Sequence, residues 1–432
     1  MNPSMSPLLE SLAAGFDSLA LRDAAGLEAP RRAALGQALE TGLPAQRRER
    51  WKYTSLRALE RRSFVPAAAL PAPLDVTALA LPAAPRLVFS NGRCVPGLSD
   101  LAGLPDGVGM RPLSQALRED APQDLAFLLR RFDTADDVFA QLNTALAEEG
   151  AVLRVAPGVT VEVPLHLVFI GTPVQGDASF ALRHRIELGA GARLALVEQY
   201  VAAGAHANLC NALAQIELAP GAQFEHLRVQ SDATAATHFL RTEAVLAETS
   251  AYRRLDLELG AALSRHELNV GLRGTGAQLR ANGVLLGDGR RHLDTRLGIA
   301  HVARDTTCLL EWRGLGAQRS RAVFHGGILI QAGADGTDAR LSNKNLLLSA
   351  EAEIDTQPVL EIHADEVQAA HGATVGSLDA AALFYLRSRG IPEAQAHRML
   401  TAAFCREVLS ALEGPLREAA ESVLDSRLDA LA

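Results

Sequence analysis

The chain has 432 residues, 48% of them apolar and only 4% aromatic, with 35 glycines and a formal net charge of −8. Such a length allows two or three domains with a sizeable core, while the acidic balance argues against nucleic-acid or anionic-membrane binding, which needs a basic field. Lysine occurs only at Lys52 and Lys344, neither inside a G-x-x-x-x-G-K-[ST] pattern, so the chain does not cradle ATP by the P-loop route.

The first elements in chain order are helical. Leu8, Leu9, Leu12, Phe16 and Leu19 recur at three- and four-residue spacing, and a second run, Arg31 to Glu40, lies between Pro30 and Pro44. The basic cluster Arg47, Arg48, Arg50 and Lys52 reads as a solvated helix face. Prolines at 66, 71, 73, 82 and 85 break regular structure, so residues 1–85 form a helical region and linker. A small mixed α/β segment follows at 86–150. It opens with RLVFS at 86–90, a strand closed by the tight turn Asn91-Gly92, and returns to helix over 112–148. No basic stretch followed by an apolar core opens the chain, and no run of about 18 apolar residues appears. Cytoplasm is the expected compartment.

From about 150 the period changes to short alternating runs separated by Gly/Ala turns. ELGAGARL at 187–194 is echoed by ELAPGAQF at 217–224. Related turns stand at 156–159, 249–252, 274–277 and 315–318. Self-similarity at such a period marks a repeating architecture, and strand-rich units such as RLALV at 193–197 and LDLEL at 255–259 make it a β-repeat. The expected fold is mainly β: a parallel β-helix over 151–376, each coil burying its apolar face on its neighbours. A β-sandwich is the structural rival. After 377 the chain is helical again: 378–389 closed by Gly390, a second helix opened by Pro392 in its first turn, and a weaker third over 414–431.

Four cysteines, Cys94, Cys210, Cys308 and Cys405, lie far apart with no C-x-x-C, which suits reduced thiols better than a zinc or disulfide framework. The richest chemistry lies at 353–376. As a strand, 359–365 projects Glu361, His363 and Asp365 on one face, with Leu360, Ile362 and Ala364 toward the core. Carboxylates and imidazoles suit iron among other metals, though a solvated polar face explains the same pattern. His371 follows after a short turn and precedes Gly372, which permits backbone angles that other residues avoid. The remaining histidines, including His184, His206, His226, His238 and His266, read as surface side chains. No G-x-S-x-G, H-E-x-x-H or dinucleotide fingerprint is present.

Several motifs, taken in order, resemble the SufB/SufD family of iron–sulfur cluster assembly proteins: WKYT at 51–54, FHGGI at 324–328, TDA at 337–339, NKNLLLS at 343–349, AEIDTQP at 352–358, LEIHAD at 360–365, HGATVG at 371–376 and LFYLRSRGI at 383–391. The SufD branch is the more similar, because SufB-like chains carry a cysteine before His-Glu-Ala-Thr in this region. Many SufD-like chains have a cysteine two residues before the histidine, where this chain has Ala369. The resemblance implies a right-handed β-helix with helical ends and a non-catalytic scaffold that pairs with SufB. The C-terminal helices, with Leu383, Phe384, Tyr385, Arg387, Met399 and Phe404, would dock the SufC ATPase. His371 would help hold iron or a nascent Fe–S cluster transiently at the SufB interface, with Glu361, His363 and Asp365 as weaker candidates. No cofactor would be bound tightly by the isolated chain, which also has the option of a homodimer. Competing readings are a β-helix polysaccharide lyase or hydrolase using Glu361 and Asp365, and a free-standing iron binder using His363 and His371.

Overall fold

The structure is a computed structural model that describes residues 5–68, 79, 82–83, 85–130 and 137–431. Most of the expected 63–85 linker lies outside those residues. Three helices come first: α1 (Pro7–Phe16), α2 (Glu28–Thr41) and the short α3 (Arg57–Glu60). Ser6 caps α1 by accepting from the Leu9 N–H, and the apolar face Leu8, Leu9, Leu12 and Phe16 is buried. The basic cluster expected on a helix face lies instead in a strap across the solenoid. A 3₁₀ turn at Glu49–Trp51 buries the indole, and Arg50 bonds Glu267.

After β1 (Val65–Pro66) come β2 (Arg86–Ser90) and β3 (Arg93–Cys94), an antiparallel hairpin with Asn91 and Gly92 both at positive φ. That is the geometry an Asn-Gly pair favours. Next are β4 (Val108–Pro112), α4 (Leu113–Glu119), a 3₁₀ stretch over Pro122–Leu129 and α5 (Val138–Leu146). The helix expected over 112–148 is therefore interrupted, and residues 131–136 lie outside the described part.

Sixteen strands then wind a parallel β-solenoid of eight two-strand coils: β5 (Ala151–Val155), β6 (Leu165–Gly171), β7 (Ala178–Leu188), β8 (Arg193–Ala202), β9 (Leu209–Leu218), β10 (Gln223–Ser231), β11 (Thr237–Leu246), β12 (Ala251–Glu258), β13 (Leu263–Leu272), β14 (Gln278–Gly287), β15 (His292–His301), β16 (Thr307–Gly316), β17 (Arg321–Ile330), β18 (Asp338–Leu347), β19 (Glu353–Ile362) and β20 (Gln368–Gly376). Odd strands from β5 to β19 form the first sheet and even strands from β6 to β20 the second. The β-sandwich alternative is thereby ruled out. Pairing is parallel throughout the coils; the antiparallel pairs β2/β3 and β4/β5 lie at the N-terminal end.

The recurring small-residue turns are one corner of the coil. Residues 158, 191, 221, 249, 276, 305 and 336 all have positive φ, and Gly191 and Gly221 reach it without a Cβ clash. The residue after the turn points inward, so Ala192, Ala222, Ser250 and Ala277 stack as a buried column. The echo at 315–318 belongs to the opposite corner, where Gln318 has positive φ, which explains its irregular spacing. Inside, Phe89, Phe169 and Tyr200 stack coil on coil, with centroids 5.1 and 4.7 Å apart.

Both outer faces are partly covered. On the first sheet, Trp51 and Phe139 pack on Phe239 beneath the N-terminal helices. On the second, Val197, Leu227, Val229, Leu255, Leu257, Val284, Leu286 and Leu315 meet the C-terminal helices. The C-terminal helices are α6 (Ala380–Ser388), α7 (Glu393–Arg406) and α8 (Gly414–Asp429); α7, the turn after it and α8 make these contacts, and α6 buries no residue. Gly390 takes positive φ just beyond α6 as expected, whereas Pro392 is the N-cap of α7, one place before the expected first turn. Burying each such Leu or Val contributes about 1.5–3 kcal/mol.

Candidate functional site: the open terminal coil

The C-terminal helices run back along the flank of the second sheet and do not cover the coil end. Among the described residues, β19 pairs only with β17 along its length, and β20 only with β18. Each keeps one edge free, a surface that invites another strand.

Register shows which side chains face the interior. Leu360 and Ile362 follow the buried Ile328 and Ile330, while Ala369 and His371 follow the buried Ala339 and Leu341. The expected inward direction of Leu360 and Ile362 therefore holds, but no ninth coil covers them. Ile362 and Val375 are each 43% exposed although they sit on interior rows. His371 is exposed on the same interior row as Leu341. It lies within β20, not on a turn, and Gly372 is absent from the positive-φ residues, so the turn-based expectation is corrected. Below this open floor, Asn345 donates to Asn343 at 2.7 Å and Thr356 donates to the same Asn343 oxygen at 2.7 Å. The last covered coil is thus closed by a satisfied polar layer.

The strand ends at Ile362, so it does not carry Asp365 on one face with Glu361 and His363. Glu361 and His363 share a 2.7 Å hydrogen bond at the surface, and Asp365 lies in an exposed bend. Among the described residues, no cluster of three or more His, Cys, Asp or Glu side chains is arranged to hold a metal. Acid–base chemistry of the lyase kind has no enclosed carboxylate pair here. The cysteines offer no thiolate either: burial pushes Cys94 up to about 11 and Cys308 and Cys405 up to about 12.

The helical docking candidates divide. Phe384 is 73% exposed and Tyr385, Arg387 and Met399 are exposed, with Arg389 stacked over Tyr385 and Arg387 paired to Glu393. Leu383 is half-buried. Phe404 instead packs toward the second sheet, with Arg313 over its ring.

Sequence reasoning missed the interior of the middle coils. His184, His206, His226, His238 and His266, expected at the surface, are all buried. His226 bonds Glu198 at 3.0 Å and Tyr252 at 3.1 Å; Asp232 bridges His206 and His238 at 2.8 and 2.7 Å. Arg228 and Arg254 converge on Asp256, and Arg228 also pairs with Glu258. Burial lowers His184 to about 4, so its ring is neutral. Burial opposes ionisation of Asp256, yet Arg254 and Arg228 hold its carboxyl well below the usual range.

Fold and site together define a parallel β-solenoid protein whose exposed chemistry sits on an uncovered coil end and a neighbouring apolar helix. The profile of the SUF-system FeS cluster assembly SufBD core domain matches residues 170–404, and that of the SufBD N-terminal region matches 12–167. The chain is 33% identical to the iron–sulfur cluster assembly protein SufD of Escherichia coli, across 88% of this chain and 87% of that one. It is 32% identical to a SufBD family protein of Synechocystis, across 87% and 86%. With SufB of Bacillus subtilis the identity is 25%, across 69% and 64%. The chain belongs to the SufBD family of iron–sulfur cluster assembly proteins, and it is SufD-like. No helix among the described residues is long and apolar enough to cross a membrane.

Proposed function

We propose that this chain is a non-catalytic subunit of a cytoplasmic SUF complex. It pairs with SufB through the open edge of β19 and β20 and docks the SufC ATPase through Phe384, Tyr385 and Met399. A nascent Fe–S cluster is then built at the SufB seam and passed on, with His371 as this chain's ligand to iron or cluster and SufB supplying the thiolates. One observation carries the reading: the interior rows of the last coil are open to solvent at Ile362, His371 and Val375, where every middle coil is closed. A partner coil would bury those apolar groups, satisfy the free strand edge and place its own side chains opposite the imidazole. Glu361 and His363, already bonded to each other, flank that seam as weaker candidates. Motion of SufC bound at α6, adjoining β20, would reach the seam directly.

The test is co-expression with SufB and SufC, comparing wild type with His371→Ala. The expected result is an intact complex with a strongly reduced cluster absorbance. Unchanged cluster yield removes His371 from the site; loss of the complex itself would assign it to assembly instead.

A further inference from the structure

On the outer face of the first sheet, away from the coil end, Arg296 of β15 is 7% exposed; its stem is covered while its guanidinium nitrogens still reach solvent, and among the described residues none bonds or ion-pairs with it. Asp294 and Glu267 lie close enough to favour its charge, but neither bonds it. The nearby carboxylates are committed elsewhere. Glu267, beside Arg296 in the ladder, accepts from Arg265 and from Arg50, each at 2.7 Å. Asp294, two residues earlier, accepts from Arg265 and from the Thr54 hydroxyl at 2.6 Å, and keeps one buried oxygen, Oδ1, unbonded. Arg241 is held by Asp137 and Glu243.

On the other side of Arg296 stands His325, in register on β17. A Cβ on Gly327 would lie 3.2 Å from the His325 ring, so the absence of a side chain there lets the imidazole lie along its own strand over Gly327. Burial, and then the charge of Arg296, lower His325 to about 4, which leaves a neutral ring able to donate one N–H. Burial and Arg265 lower Arg296 only to about 10, so it stays a cation at neutral pH. Arg50, on the strap that crosses this sheet, keeps about a third of its side chain in solvent.

We propose that Arg296, His325 and Arg50 form a binding site for one small oxyanion, a phosphate or carboxylate group, at the seam between the 46–54 strap and the first sheet. Arg296 supplies a planar fork with no competing partner, which suits bidentate recognition of such a group. The neutral imidazole adds a donor without adding charge. Trp51, stacked under Arg265 at 3.9 Å on the same strap, places a reporter next to the site.

The test is titration of the full-length protein with inorganic phosphate and, separately, acetate, at ionic strength held constant with chloride, read by tryptophan fluorescence and thermal midpoint. Wild type is expected to respond saturably to at least one of the two; which one tells phosphate from carboxylate recognition. Arg296→Met is expected to weaken that response about tenfold or more, and Arg296→Lys, which keeps the charge and loses the fork, by an intermediate factor. Circular dichroism checks that Arg296→Met folds; if it does not, Arg296→Lys decides alone. No response in wild type, or an equal response in the variants, overturns the site, as does a crystal structure with Arg296 turned onto Asp294 Oδ1.

Discussion

The interior of the middle coils and the interior of the last coil are built on the same two sheets and carry opposite chemistry. In β8, β10 and β12 the inward rows hold Glu198, His226, Arg228, Arg254 and Asp256, all buried and bonded to one another. In β19 and β20 the inward rows hold Leu360, Ile362, Ala369, His371 and Val375, more apolar and yet in contact with water. Polarity alone does not set burial here; the presence of a following coil does. Where neighbours exist on both sides, even charges are tolerated because each finds a partner. Where one neighbour is missing, an apolar floor is left for another molecule to cover.

The comparison breaks most visibly at Asp256. Asp256→Ala leaves Arg228 and Arg254 buried with too little negative charge, so unfolding free energy should fall by about 3–5 kcal/mol, measured by urea denaturation. A change below about 1 kcal/mol would mean that water reaches this cluster and the interior is not dry.

Acid offers a graded version. Burial lowers His184 to about 4, and burial likewise lowers His292 to about 4. Both bind their proton more readily when unfolded, near pH 6.5, so their stabilisation is complete above that pH. It is lost as pH falls from about 6.5 toward 4, by up to roughly 3 kcal/mol for each ring. Burial opposes the ionisation of both Glu198 and Asp256, but the hydrogen bond from His226 depresses Glu198, and Arg254 and Arg228 depress Asp256; both add a second loss at more acid pH, beginning below the ordinary carboxylate range. Thermal midpoints between pH 7.5 and 4.5 should therefore fall steadily; a flat profile over that window would contradict buried neutral histidines.

The smallest effect on stability belongs to the open end. Ile362→Asp should change the unfolding free energy of the isolated chain by no more than about 0.5 kcal/mol, because the side chain already meets water. The same substitution at the buried Ile330, one coil earlier in register, should cost several kcal/mol. In co-purification with SufB, Ile362→Asp should abolish pairing; retained pairing would move the interface elsewhere.

Much of the architecture was legible in the residues. Period-two runs, recurring small-residue corners and helical spacing at both ends point to a solenoid with helical flanks, and Asn91-Gly92 announces its hairpin. The histidines were not legible, for a physical reason visible in FEHLRV at 224–229. Phe224, His226 and Arg228 face the interior, while Leu227 and Val229 face the C-terminal helices. A sheet covered on both faces has no polar side, so alternation no longer says which row is inside. The coil end was half legible: Leu360 and Ile362 point inward as their spacing requires, but spacing does not say where stacking stops. Arg296 carried no signal at all, since its isolation depends on Arg265 and Arg50 claiming the carboxylates first.

The helices on the second sheet act as a splint. Their apolar face touches five successive even strands, from Val197 of β8 to Leu315 of β16. A tug on α7 or α8 is therefore spread over most of the solenoid's length at once, and the body answers as a stiff beam, turning or sliding whole. A coil cannot be added or deleted beneath that splint without throwing its side chains out of step, so the number of coils is pinned from outside as firmly as the ladders pin it from within.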